Sequence, residues 1–163
     1  MAQREPDLTP NRLKIGPLIG ICGSGIHDDQ TAALAEETGR RLAEAGAVIV
    51  CGGLGGVMAA AAKGARAAGG MTVGILPDSD PSAANPHIDL PLATGLGQLR
   101  NFVIVQSASA VIAFPGGPGT MSEVAMALKI GRRTIGLKAW GDLHGILAAS
   151  TPEMAVNLAL STT

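Results

Sequence analysis

The sequence predicts an α/β fold: a single doubly wound parallel sheet with helices on both faces. Three observations predict it. Short apolar runs alternate with segments of helical periodicity along the chain. The runs are continuously apolar rather than alternating, which is the pattern of a sheet buried on both faces. Glycine-rich turns stand where runs give way to helices. Right-handed crossovers between such strands build an open, Rossmann-like sheet, and ligands of such sheets bind outside the carboxyl ends of the strands.

Residues 1–15 are polar and read as a flexible tail, leaving 16–163 as one domain. Leu18–Cys22 is the first strand, broken by Gly23-Ser24-Gly25. Residues Asp29–Ala45 place Leu34, Ala35, Thr38, Leu42 and Ala45 at helical spacing, with Gly46 as C-cap. Ala47–Cys51 is the second strand and Met58–Ala68 an alanine-rich helix. Thr72–Leu76 is the third strand, and the Pro- and Asp-rich stretch 77–86 is a loop. Ile88–Leu92 reads as a short strand, Gln98–Ser107 as a helix, and Ala110–Phe114 as a buried strand. A helix follows Pro115–Thr120 and runs to Ile130. Thr134–Leu137 reads as the last strand, with helical segments at Leu143–Ala149 and Pro152–Leu160.

Composition removes several function classes. Hydrophobic residues make up 47% of the 163, but aromatics only 2%, so the core is aliphatic and no platform for stacking single-stranded bases exists. The net charge is −1 with no basic run longer than two residues, which argues against a nucleic-acid polymer as partner. No stretch has membrane-spanning length and no apolar leader precedes the first strand, so the expected compartment is the cytoplasm. Cys22 and Cys51 form no CxxC and read as small buried residues.

The 23 glycines are roughly twice the average usage. Four turns join a strand end to a helix start: Gly23-Ser24-Gly25, Gly52–Gly56, Thr94–Gly97 and Pro115–Thr120. In a parallel sheet all four fall on one edge. Backbone N–H groups at helix starts favour anions there, and glycine lets the backbone approach a phosphate closely. Asp28 replaces the third glycine of a dinucleotide fingerprint and no acidic residue closes the second strand, which argues against NAD. No GxxxxGK[ST], no GxSxG elbow and no metal-ligand spacing among His27, His87 and His144 occur.

The strongest string is Pro115-Gly116-Gly117-Pro118-Gly119-Thr120-Met121-Ser122-Glu123. Thr120 and Glu123 also have the spacing of a capping box, which would be a purely structural use. Arg100, near the start of its own helix, opposes the helix dipole and gains little locally. A cation and a carboxylate over one anion-binding edge suit a ligand phosphate and general acid–base chemistry.

These residues resemble the LOG (lonely guy) superfamily, or SLOG, long mislabelled as lysine decarboxylases. Residues 115–123 match its PGGxGTxxE string; Gly52, Gly53, Gly56 and Met58 match its GGxxGxM turn; and Arg100 stands fifteen residues before the motif proline. The resemblance implies that Arg100 and Glu123 are catalytic in removing ribose 5-monophosphate from adenine-type nucleoside monophosphates. It implies that Gly116, Gly117, Gly119 and Thr120, beside Pro115, cradle the phosphate. The remaining turn residues, Gly23, Ser24, Gly25, Gly52, Gly53, Gly56, Met58, Thr94, Gly95 and Gly97, are expected to line the ligand.

The hydrolases read M-H-x-R-K around the arginine, whereas this chain reads Gln98-Leu99-Arg100-Asn101. That string is similar to a branch containing molybdenum cofactor carrier proteins. Two functions follow: a phosphoribohydrolase needing no cofactor and no metal, or a carrier of molybdenum cofactor or a related phosphate-bearing ligand. The four lysines sit in no pyridoxal-phosphate context. Leu99, Phe102, Val103 and Gln106 share one face of their helix, while Ile104 and Val105 lie off it. Two apolar faces predict a homo-oligomer, at least a dimer, through this helix and the one bearing Val124, Met126, Ala127 and Leu128. The resemblance implies the same, since related family members form dimers through helices of this layer. The alternative is cover within one chain by Leu143–Leu160.

Overall fold

The computed structural model describes residues 14–162; residues 1–13 of the expected tail lie outside them. Seven strands form one wholly parallel sheet: β1 (Leu18–Cys22), β2 (Val48–Cys51), β3 (Thr72–Leu76), β4 (Leu90–Ala93), β5 (Ala110–Ala113), β6 (Arg133–Leu137) and β7 (Ile146–Ala149). Their order is β4-β3-β2-β1-β5-β6-β7. The chain winds outward from β1 to β4, returns beside β1 as β5, and winds outward the other way. The reversal lies between β1 and β5, where Ile21 pairs with Ile112.

Among the described residues five α-helices cover the sheet: α1 (Asp29–Glu44), α2 (Val57–Ala67), α3 (Arg100–Ser107), α4 (Pro118–Lys129) and α5 (Pro152–Leu160). Strand alternation divides the core in two. Ile19, Ile21, Ile49, Ile112, Phe114 and Leu137 pack with Leu42, Ala61 and Val156 beneath α1, α2 and α5. Cys22, Val50, Ile75, Val111 and Ala113 pack with Ile104, Val105, Val124 and Ala127 beneath α3 and α4. The alanine-rich sequence of α2 serves close contact with α1. A Cβ on Gly39 would stand 2.0 Å from the Ala61 carbonyl oxygen, and one on Gly64 1.9 Å from that of Glu36.

Three expectations are corrected. The segment Leu143–Ala149 is not helical: after Gly145 at φ +92, Ile146–Ala149 extends as β7 and pairs with β6. Four residues cannot sustain a helix, whereas a ladder with β6 satisfies their backbone groups at once; Thr134–Leu137 is therefore not the last strand. The short strand expected at Ile88–Leu92 is displaced to Leu90–Ala93, an edge strand that tolerates Pro91 without its N–H. A 3₁₀ turn at Gly97–Leu99 precedes α3, so the helix starts at Arg100.

The outer face of α3 is apolar and uncovered in the single chain: Leu99 is 73% exposed, Phe102 44%, and Met121 of α4 55%. The C-terminal helix α5 packs against α1, on the other side of the sheet.

Candidate functional site

Three turns converge outside the reversal point. They follow β1 (Gly23–Gly25), β2 (Gly52–Gly56) and β5 (Pro115–Gly117). Ser24 stitches them together: its N–H donates to Pro115 O at 3.0 Å, and its carbonyl accepts from Val57 N at 2.9 Å. Gly23 lies against Val57 and Phe114, where a Cβ would come within 2.9 Å of both side chains. Gly56, at φ +60, lets the β2 turn pass over Ser24, whose carbonyl oxygen would stand 2.1 Å from a Cβ there. Met58 runs from Gly52, whose Cβ would lie 2.8 Å from its sulfur, to Gly25, 3.9 Å from its methyl. A cavity of about 380 Å³ opens between Ser24, the start of α1 and Pro115–Gly117.

The helix starts at this edge differ in what they leave free. At α1, Asp28 is the N-cap and accepts from Thr31 N at 2.9 Å; hydrogen bonding to the Thr31 side chain first, and then to its backbone N–H, lowers the Asp28 pKa. At α2, Val57 N is taken by Ser24 O. At α4 the N-cap is Gly117, which supplies no side chain, and Pro118 follows. The first helical bond is Met121 N to Gly117 O at 2.9 Å, so the N–H groups of Gly119 and Thr120 precede the ladder. Such groups at a positive dipole end bind anions. A Cβ on Gly116 would stand 2.1 Å from Thr120 Oγ1 and 3.0 Å from Ser24 N; glycine keeps the approach open. The capping-box reading of Thr120 and Glu123 is corrected here. The helix begins two residues before Thr120, so Thr120 and Glu123 both lie inside it, and both are buried.

Arg100 comes to this edge from α3, although its turn follows the distant strand β4. The guanidinium is buried, with the residue only 6% exposed, so it is not a solvent-facing surface charge. One terminal nitrogen donates to Asn101 Oδ1, and Nε is buried without a partner. The other terminal nitrogen lies over Gly52, 2.7 Å from where a Cβ would be. Glu123, 7% exposed, approaches from α4. Burial pushes its pKa up to about 7, and the charge of Arg100 pulls the other way. The two are not in ion-pair contact and interact through space. Beneath them, Cys22 and Cys51 are buried; burial first, then Glu123, holds the Cys22 thiol protonated, and burial lifts Cys51 to about 11. Among the described residues no three His, Cys, Asp or Glu side chains gather as metal ligands.

The Thr94–Gly97 turn is not brought to the reversal point. It follows the edge strand β4 and braces the β3–β4 loop. Thr94 Oγ1 donates to Leu76 O at 2.7 Å, Gly95 N to Asp78 O at 3.1 Å, and Gly97 N to Pro77 O at 3.0 Å. Two site neighbours had no sequence motif to mark them. Asn101 is buried at 2% exposure and reaches from Arg100 to α4. Trp140 donates its indole N–H to Phe114 O at 2.8 Å, one residue before Pro115. Its backbone, like that of Lys138, sits at positive φ. A larger groove of about 880 Å³ lies at the opposite sheet edge; the Nε of its Arg132 is buried without a partner, while its other contacts tie the arginines to backbone. Arg132 donates to Gln106 O, and Arg133 donates to Leu158 O.

The model of the SLOG cluster4 family matches residues 16–161. The chain belongs to that family. This SLOG cluster4 chain is 45% identical over 143 residues to an uncharacterised protein of Archaeoglobus fulgidus, covering 88% of its own length and 94% of the relative. It is 31% identical over 137 residues to the cytokinin riboside 5′-monophosphate phosphoribohydrolase of Mycobacterium tuberculosis, covering 78% and 73% of the two chains. Among solved structures it is similar to the molybdenum cofactor binding protein of Rippkaea orientalis, at 35% identity and a TM-score of 0.84, over 90% of this chain and 96% of that one. No helix among the described residues of this SLOG chain is long and apolar enough to cross a membrane.

Proposed function

We propose that the domain 16–163 binds a small phosphorylated, nucleotide-like ligand in the cytoplasm, with its phosphate on the turn Pro115–Thr120. The carrying observation is the start of α4: no side chain caps it, and the N–H groups of Gly119 and Thr120 precede its ladder beside a glycine, Gly116, whose missing side chain keeps the approach open. Arg100 faces that phosphate and the glycines of the β1 and β2 turns border it. Titration with AMP, other nucleotides and inorganic sulfate tests this; failure of every anion to bind folded protein refutes it.

The finer reading is a nucleoside 5′-monophosphate phosphoribohydrolase. Water adds to C1′, the bond from C1′ to the base nitrogen breaks, and the base leaves with the bonding pair and a proton. A carboxyl group with its pKa near 7 is suited to supply that proton at neutral pH. Free adenine released from AMP is the readout. Carriage of molybdenum cofactor is the second reading. It is supported by the likeness to the Rippkaea protein and by Asn101 standing where the hydrolases have lysine. Pterin fluorescence from protein purified out of a cofactor-producing host, with no adenine release from AMP, decides for carriage.

A second copy of the chain is the proposed cover for the exposed face of Leu99, Phe102 and Met121. Light scattering at micromolar concentration should give at least twice the 16.3 kDa chain mass; a monomer throughout refutes it.

A further inference from the structure

A buried amide between a cation and a helix start has work beyond packing. Asn101 is 2% exposed, and a buried amide must find partners for both its ends. Its orientation is set by chemistry, because a guanidinium can only donate and a backbone carbonyl can only accept. Oδ1 therefore accepts a hydrogen bond from Arg100. Nδ2 donates to Ser122 Oγ at 2.9 Å and reaches Gly119 O at 3.5 Å. Ser122 Oγ donates in turn to Gly119 O at 2.6 Å. The chain of bonds runs from the guanidinium on α3 into the first turn of α4, the turn whose free N–H groups form the anion site.

The rest of the guanidinium lacks comparable anchors. Nε is buried and unpartnered, and the far terminal nitrogen rests over Gly52. No carboxylate among the described residues pairs with it. Asn101 is thus the neutral acceptor that holds Arg100 while leaving its charge for a ligand.

We propose that Asn101 is a positioning residue that locks the Arg100 guanidinium to the start of α4, fixing the spacing at which both grip one anion. An aspartate would accept the same bond but neutralise the cation, and an alanine would release it. The inference rests on the anion-binding reading of α4.

The groups facing Glu123 are Arg100 from α3, Cys22 from β1 and Cys51 from β2. Sulfate does not titrate near neutrality; His27 and Asp28 line the same cavity, so every measurement, the wild-type reference included, is made in a His27→Gln background, where the pH dependence of binding between pH 5 and 9 follows Glu123. Sulfate affinity of the full chain is to be measured from pH 5 to 9 by calorimetry in wild type, Asn101→Ala, Asn101→Asp and Ser122→Ala, with melting temperatures beside each. Wild type should bind most tightly at low pH and weaken through about pH 7. Asn101→Ala and Asn101→Asp should each lose roughly tenfold in affinity at pH 6, the scale of one charged hydrogen bond. Their midpoints should move upward, since Glu123 loses part of the cation that restrains its pKa. Ser122→Ala, which cuts only the far link, should show the same upward shift in smaller measure. Variants that are merely less stable, with wild-type affinity and midpoint, overturn the proposal. If Asn101→Ala fails to fold, Asn101→Asp and Ser122→Ala decide by the same two readouts. Absence of sulfate and AMP binding in wild type instead overturns the anion-site reading itself.

Discussion

The starts of α1 and α4 face the same sheet edge and follow neighbouring strands, yet they are finished in opposite ways. Asp28 closes α1 with its own carboxylate, so the dipole end is satisfied by the chain itself. Gly117 leaves α4 open, and Pro118 begins the helix without an N–H of its own. The contrast teaches that a glycine turn is not in itself an anion site. What decides is whether the helix behind it carries a private anion.

The largest expected effect comes from filling the open start. Gly116→Val should reduce AMP and sulfate affinity by about 100-fold or more, because its side chain collides with Thr120 and Ser24. Calorimetry on folded variant protein checks this. Next is the carboxyl beside the open start. The pKa of Glu123 is raised from 4.5 to about 7, so its burial costs nothing below the unfolded value. The cost grows between pH 4.5 and 7, reaching about 3 kcal/mol above that. Glu123→Gln should therefore melt higher than wild type at pH 8 and similarly at pH 4, keep its AMP affinity within a few fold, and lose any adenine release. Thermal scans across pH are the measurement.

Gly117→Asp makes α4 resemble α1. Its Cβ meets nothing within 4 Å, so the carboxylate can cap the helix and compete with the ligand. Anion affinity should fall on the order of tenfold while stability rises by a few tenths of a kcal/mol. The smallest effect is the reverse change. Asp28→Ala should lower the melting temperature slightly above the usual carboxylate range, fading as acid removes the wild-type charge, and leave AMP affinity within about twofold. A large loss of AMP affinity would mean that the Asp28 cap holds the α1 wall of the cavity in place.

Much of this was legible because strand interiors here are continuous apolar runs and the PGGxGTxxE string is unbroken. The parallel sheet and the glycine turns on its carboxyl edge follow from those two facts, whereas the reversal point and the burial of Arg100 depend on the order of the strands. The misreadings have local causes. Ile146–Ala149 is four apolar residues, too short for periodicity to separate strand from helix, and only the ladder with β6 settles it. Thr120 and Glu123 have capping-box spacing, but Pro118 starts the helix earlier, and one residue of register decides which group caps. The Thr94–Gly97 turn has the same composition as the others. Only the order of strands, which composition does not encode, leaves it two strands beyond β2. Asn101 and Trp140 matter through partners far away in the chain, Ser122 and Phe114, and no local pattern announces such pairs.

The indole bond to Phe114 has a practical consequence. Trp140 is the sole tryptophan, and there is no tyrosine to mask it. Its ring is tied to the last residue before Pro115, in a loop held at two left-handed positions. A ligand that shifts the Pro115–Thr120 turn by a fraction of an ångström tugs directly on the chromophore. The protein therefore carries its own optical gauge, and unlabelled ligands can be screened by emission intensity and wavelength alone.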